Sequence, residues 1–503
     1  MNTIHMRKLE EELRKYSMSD AYPFHMPGHK RNAASVDDYL KTACKLDITE
    51  TDGFDNLHSP EGILLKEMQF AANLYKTKET FFSVNGSTGA ILAAVSAAAP
   101  KGGKILINRS CHISVYHAAA LRELDLEYTE NVPFNKNLDD SGKNAGPLHA
   151  VVITSPTYEG YVRDVRMWAE YAHKRGAVLI VDEAHGAHFS MHPFFPESAA
   201  RCGADLVIQS LHKTLPALTQ TALLHNVSGR VDGKRLQHFL DIYETSSPSY
   251  LLMASITSCL HAAAESGSAF FDAYAARLKS FYDVMEEQLQ CLYLVPAGFA
   301  GGAPSDPFIG RDPGKLLVRT PLPCTGTTLY ERLRDEFQLP GEMKGPDYVL
   351  LMTSPADTDE GFERLKAALI AIDRDLRSEK WCRHAGTDEK HTADVIFPIP
   401  PDRIPLGAAA EGSVEYVPLY EAEGRTAGDY LIVYPPDCPL IIPGEVCTKE
   451  LLRCIMELLE KHMNIIGIKT QNSMPFIPVL CKMRYNASMI IAAHKLTQLH
   501  KPF

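Results

Sequence analysis

Short apolar runs recur between residues 79 and 210, and they are spaced so that a helix fits between successive runs. "ETFFSV" from Glu79, "KILI" from Lys104, "AVVITS" from Ala150, "AVLIVDE" from Ala177 and "ADLVIQS" from Ala204 read as strands. "STGAILAAVSAAA" from Ser87 reads as an apolar, alanine-rich helix. Continuous apolar runs separated by helices indicate a mainly parallel sheet covered on both faces, because such strands need no polar side. The pattern therefore predicts an α/β domain over residues 55–265.

Outside that block the pattern changes. Residues 1–54 form an arm with one charged helix near Leu9 to Tyr16, then an irregular stretch, "YPFHMPGHKRN". A long helical stretch from Ser249 to Leu289 leads into a smaller α+β region, 266–380. The polar segment "RSEKWCRHAGTDEKHTADV" links it to a last module, 395–480. Residues 481–503 form a basic tail with no acidic residue, in which Met489, Ile490, Ala493 and Leu496 sit at helical spacing.

Composition narrows the function classes. At 503 residues the chain needs more than one core. A net charge of −11 argues against a nucleic-acid partner, which requires clustered basic surface. No apolar run reaches the length of a membrane span, and the N-terminal stretch lacks the apolar segment of a secretory signal. Eleven cysteines with no C-x-x-C pair suggest free thiols in a reducing, cytoplasmic setting.

Ligands of open α/β sheets bind beyond the carboxyl ends of the strands, and three candidate groups fall there. "SVNGSTGA" brings Gly86, Ser87 and Thr88 to a strand-to-helix turn, which suits a phosphate and equally suits an ordinary helix cap. "VLIVDEAHGAH" ends a strand at Asp182, with His185 and His188 following. That spacing lacks the H-E-x-x-H pattern, so no metal is expected. "QSLHK" ends another strand beside Lys213, a lysine with no acidic neighbour in sequence. A lysine, an aspartate and a phosphate cradle on one sheet edge fit pyridoxal 5'-phosphate, which needs a covalent lysine, an acidic partner for its ring nitrogen and a phosphate site.

With "FHMPGHK", "DITETDGFDNLHSPEG", "FFSVNGSTGA", "SCHISV", "VDEAHGAH", "SLHKTLPALTQTALLH", "TSSPSY" and "YPPDCPLIIPGE", the chain resembles the short-form bacterial ornithine/lysine/arginine decarboxylases from about His25 to about Val479. The resemblance implies the aspartate-aminotransferase-like fold, known as fold type I, and pyridoxal 5'-phosphate as cofactor. It also implies a homodimer or dimer of dimers with active sites at the subunit interface. Lys213 would bond covalently to the cofactor, Asp182 would pair with its ring nitrogen, and His112 would stack on its ring. Gly86, Ser87, Thr88, Ser210 and His212 would hold the phosphate, and His185 would lie near the cofactor and the substrate carboxylate. Thr245 and Ser246 would reach the partner's phosphate. The expected reaction is decarboxylation of a basic amino acid, arginine first, then lysine or ornithine, in polyamine biosynthesis.

Three departures stand out. Ile113 follows the stacking histidine where the family often has a basic residue, Ser246 replaces a usual threonine, and "PPDCP" replaces a more typical "PPGIP". The N-terminal wing of the larger acid-stress enzymes is lacking, so a ring-like assembly built on it is not expected. Glu421 and Glu423 are candidate partners for a cationic substrate side chain, or else surface charges. The competing functions are another reaction of the same cofactor, such as transamination or retro-aldol cleavage, and a non-catalytic regulatory relative. The latter would be expected to lose Lys213, Asp182 or His112.

Overall fold

In the central sheet, alternate residues of each strand enter different cores. Val152, Ile180 and Ile208 pack on one face with Ala90, Ala93, Ala94 and Ala97 of the helix Gly86–Ala98. Val151, Leu179, Val181 and Val207 pack on the other face, with Trp168 and Ala172 of the helix Val165–Lys174. Both faces are dry, which is why these strands read as unbroken apolar runs. The alanine spacing lets the helix backbone approach the sheet closely. The computed structural model describes residues 9–129, 147–265, 267–297, 308–378, 398–400, 403–434 and 437–481. The expected tail helix around Met489 lies outside the described residues.

The strands are β1 (Glu79–Ser83), β2 (Lys104–Ile107), β3 (Asp125–Tyr128), β4 (Leu148–Thr154), β5 (Tyr161–Arg163), β6 (Val178–Asp182), β7 (Leu206–Ser210) and β8 (Ala222–Asn226). All but β5 form a seven-stranded sheet in the order β1-β8-β7-β6-β4-β2-β3. The five strands from β7 to β3 are parallel. β8 runs antiparallel between β7 and β1, a strand the apolar-run pattern did not single out. β6 and β7 run side by side, so Asp182 and Ser210 emerge at the same edge.

A second sheet follows, from β9 (Tyr293–Leu294), β11 (Lys315–Arg319), β12 (Met343–Lys344) and β13 (Tyr348–Met352), with β10 (Phe308–Arg311) reaching back to pair with β5. That pairing ties the smaller region to the large sheet and carries the start of β11 towards its edge. Asp312 N donates to Gly160 O at 2.8 Å, which tightens the junction. Gly160 sits at φ +99°, with Lys315 so close that a Cβ there would clash.

The last module holds two three-stranded sheets: β14 (Val414–Pro418), β19 (Met474–Leu480) and β18 (Lys469–Gln471), and β16 (Cys438–Ile441), β15 (Leu431–Val433) and β17 (Ile465–Ile466). It is clamped to the large sheet by Arg109, whose Nη1 and Nη2 donate to the two carboxylate oxygens of Glu445 at 2.8 Å each. Nine of the described cysteines are free thiols, but Cys291 is disulfide-bonded, which corrects the expectation of free thiols at that position. Among the described residues no helix is long and apolar enough to cross a membrane.

Candidate active site

Lys213 lies in the one-turn helix Leu211–Thr214 that follows β7, and its side chain turns back over the sheet edge. Its Nζ is 3.2 Å from His185 Nε2. Burial pulls the lysine's pKa below its usual value, against the carboxylates of Asp182, Glu342 and Asp437, which hold it up. A buried amine with a weakened hold on its proton is a competent nucleophile.

Asp182 closes β6 and is 4% exposed. Burial raises its pKa, while Lys213 and a hydrogen bond from Ala184 N to Oδ1 at 3.1 Å oppose that shift. Its Oδ2 takes no hydrogen bond from the described residues and is not sealed in, so it is open to a group entering the site. A buried carboxylate with one oxygen unsatisfied is matched to an external cation that brings its own N–H. Its neighbour Glu183 is occupied differently: Ser198, Ala199 N and Gln209 all donate to it at 2.7 Å, and burial pushes it up to about 7.

The phosphate candidates also converge in part. Ser87 Oγ and Ser210 Oγ are 2.7 Å apart across the sheet edge. Gly86 takes φ +69° to open the helix, and the preceding Asn85 makes no side-chain cap, donating instead to Tyr243 O at 2.7 Å. Gly86 N already donates to Gln220 O at 2.9 Å, so the N–H groups of Ser87 and Thr88 are the ones left for another acceptor. His212 anchors one ring nitrogen on Thr221 O at 3.0 Å. Thr88 belongs to the same first turn. By contrast Thr245 and Ser246 are exposed, and Thr245 O accepts from His58 Nε2 at 2.8 Å rather than joining the cluster.

His112 caps the helix Ile113–Leu121, its Nδ1 accepting from Ser114 N at 3.2 Å and lying 2.8 Å from Ser114 Oγ. Desolvation, with Lys213 and His117 nearby, pushes its pKa down to about 4, so the ring is neutral near pH 7. A neutral ring suits stacking on another aromatic face. His188 does not face Lys213: its Nε2 meets Asp312 at 3.1 Å in the core.

Four residues that the sequence did not mark also enter the site. Lys315, 1% exposed at the start of β11, places Nζ 2.6 Å from His185 Nδ1. Tyr158 meets the His185 ring edge-on at 4.6 Å and donates to Glu342. Asp437 lies on the turn before β16 at φ +62°, with Oδ2 4.0 Å from His112 Nε2 and its carbonyl accepting from Ile113 N. Asp437 occupies the departure from the "PPGIP" pattern, and its positive φ explains why glycine is usual there. The other three lie far from the motif-rich segments. Glu421 and Glu423 are exposed, so the carboxylates that influence Lys213 are Glu342 and Asp437 instead.

The arrangement fits pyridoxal 5'-phosphate: a depressed lysine, a half-satisfied buried aspartate, and an uncapped helix start with two converging hydroxyls on one edge. Comparison with known proteins agrees. The model of the Orn/Lys/Arg decarboxylase major domain matches residues 8–131 and 121–297, and that of the C-terminal domain matches 405–467. An arginine decarboxylase of Bacillus subtilis is 30% identical over 92% of this chain and 96% of its own length. An uncharacterised Bacillus subtilis protein is 32% identical over 91% and 95%. A lysine decarboxylase of Francisella novicida shares the fold at a TM-score of 0.76 and 18% identity, over 94% of this chain and 81% of that one. The chain belongs to the Orn/Lys/Arg decarboxylase family and is a pyridoxal-phosphate-dependent amino-acid decarboxylase.

Proposed function

We propose that the substrate is L-arginine, converted to agmatine and CO₂ in a cytoplasmic step of polyamine biosynthesis, by a homodimer or a dimer of dimers. The observation that carries the reading is a pair of carboxylates at the Lys213–His185 cluster: Glu342, which accepts from the Tyr158 hydroxyl packed on the His185 ring, and Asp437, whose Oδ2 lies 4.0 Å from His112 Nε2. A cationic side chain needs such partners, and a planar guanidinium is satisfied by two of them in a way a point ammonium does not require. The curated relatives named arginine decarboxylase support the same choice.

When bound, pyridoxal 5'-phosphate supplies the electron sink for the pair left at Cα as CO₂ departs. The chain's own residues do the rest. Lys213 offers the amine, and Asp182 would hold a proton at the ring nitrogen. Ser87, Ser210, His212 and the helix start at Gly86 and Thr88 would bind the phosphate. His112 would cover one ring face and exclude water from it. His185 lies beside Lys213, where the α-carboxylate would be oriented for loss. Thr245 and Ser246, exposed within one chain, would complete the phosphate site of a partner subunit.

The test is product identification. Purified protein offered arginine, lysine and ornithine separately should form agmatine at a kcat/KM at least tenfold above cadaverine or putrescine. Preference for lysine or ornithine would overturn the substrate assignment, and a keto acid or aldehyde product would overturn the reaction.

A further inference from the structure

His185 stands between two lysine amines. Its Nε2 is 3.2 Å from Lys213 Nζ and its Nδ1 is 2.6 Å from Lys315 Nζ. A neutral imidazole carries one N–H and one lone pair, so its two nitrogens have opposite roles. Burial and the flanking lysines keep the His185 pKa well below its ordinary value, so the ring is neutral. If Lys315 donates as an ammonium to Nδ1, then Nε2–H points at Lys213, which must accept with its own lone pair. Lys213 is then a neutral amine. The opposite polarity makes Lys213 the ammonium and Lys315 the amine.

We propose that Lys315, acting through His185, is the proton reservoir for the Lys213 amine. The two polarities interconvert by one concerted shift. The N–H proton of Lys315 passes to His185 Nδ1 while the proton on Nε2 passes to Lys213 Nζ. One N–H bond breaks and one forms at each stage, the imidazole ends as the other neutral tautomer, and no outside reactant is consumed.

The surroundings permit both states. Lys315 faces Asp312, Glu159 and Glu342, and the Tyr158 ring centroid lies 5.2 Å from its Nζ. Asp312 is itself engaged by His188 at 3.1 Å, which leaves Lys315 without exclusive claim on it. On the Lys213 side stand Asp182, Glu342 and Asp437, with His112 and His212 close by. Burial brings Lys315 down to about 7, where it can hold or release a proton at neutral pH. The chemistry needs this of Lys213: neutral to bond with a carbonyl, protonated to return a proton to carbon. A reservoir that is 1% exposed supplies both without exchange through bulk water.

Lys315 acts through His185 and not on the cofactor or substrate directly, so it is a positioning residue, and its test is a pH profile. The inference rests on Lys213 being the cofactor lysine. Full-length protein stripped of cofactor is mixed with pyridoxal 5'-phosphate from pH 5.5 to 9, and bonding is followed by absorbance. Borohydride reduction and peptide mass then locate the cofactor. The wild-type rate should rise through an inflection near pH 7. Lys315→Met should move that inflection at least one unit to the alkaline side and slow bonding at least tenfold at pH 7. His185→Phe, which keeps both lysines but cuts the path between them, should do the same. Lys315→Arg, permanently charged, should bond the cofactor at the wild-type rate but turn over at least tenfold more slowly. An unchanged inflection in Lys315→Met, or in His185→Phe, would overturn the relay. Should either variant fail to fold, Lys315→Gln and His185→Gln give the same readout. Cofactor found elsewhere than Lys213 in the wild type would instead sink the underlying reading.

Discussion

Removing one buried carboxylate should loosen the last module from the large sheet. Glu445 accepts four hydrogen bonds: Arg109 Nη1 and Nη2 at 2.8 Å each, Ile442 N at 3.0 Å and Tyr128 OH at 3.3 Å. Arg109 and Glu445 are 2% and 1% exposed, so water cannot replace either partner. In Glu445→Ala the guanidinium loses both carboxylate bonds and keeps, among the described residues, the Leu440 carbonyl at 2.8 Å and the Tyr128 hydroxyl at 2.8 Å. Breaking a buried pair in this way costs about 3–5 kcal/mol, because a buried charge loses the carboxylate that faces it. The double variant Arg109→Met/Glu445→Leu removes both charges and should recover most of that loss, since well-packed apolar replacements of buried pairs are often neutral. Urea unfolding and limited proteolysis, with fragment masses mapped to 403–481, read the outcome. The turn carrying Asp437 leads into β16 of the same module, so Glu445→Ala should also raise KM for the amino acid. A Glu445→Ala protein within about 1 kcal/mol of wild type, or a double variant less stable than the single one, would refute this accounting.

Other outcomes follow from the site itself. Asp182→Ala should lower kcat by several orders of magnitude while the protein stays folded; near-normal turnover would refute its role at the ring nitrogen. Asp437→Gly should relieve the left-handed backbone and leave the fold intact, yet raise KM for arginine about tenfold, roughly the worth of one charge-assisted contact; an unchanged KM would free Asp437 from substrate recognition. Lys315 has its folded pKa lowered from 10.5 to about 7. A depressed amine destabilises the fold where the unfolded chain is protonated and the folded one is not. The stability it leaves intact above pH 10.5 is therefore lost as pH falls towards 7, by about 5 kcal/mol for a shift of this size. Lys315→Met should accordingly stabilise the apoprotein below pH 7 and not above pH 10.5; equal stabilisation at both ends of a urea series would contradict the shift.

Much of this was legible in one sequence because the informative residues cluster. Strand-end motifs place Asp182, Ser210 and Lys213 on one edge, since parallel neighbours must end together. The run at Ala222–Asn226 shows why topology was less legible. Its apolar character matches its neighbours, and nothing in it reveals that it returns antiparallel between β7 and β1. Lys315, Tyr158, Glu342 and Asp437 show the other limit. They come from four separate segments, brought to Lys213 by long-range contacts such as the β5–β10 pairing, the Arg109–Glu445 clamp and the Ile113–Asp437 hydrogen bond. No local pattern records such long-range contacts. Glu421 and Glu423 looked equally suitable by charge, but the backbone leaves them in solvent.

Decarboxylation breaks one carbon–carbon bond of the substrate and depends on one lysine, Lys213. CO₂ release from carboxyl-labelled arginine, by cofactor-loaded wild type and by Lys213→Ala in parallel, measures it most directly. The wild type should give stoichiometric CO₂ and agmatine, and the variant no release above the uncatalysed background. CO₂ production that survives the loss of Lys213, or a fully cofactor-loaded wild type that releases none from arginine, lysine or ornithine, would contradict the assignment.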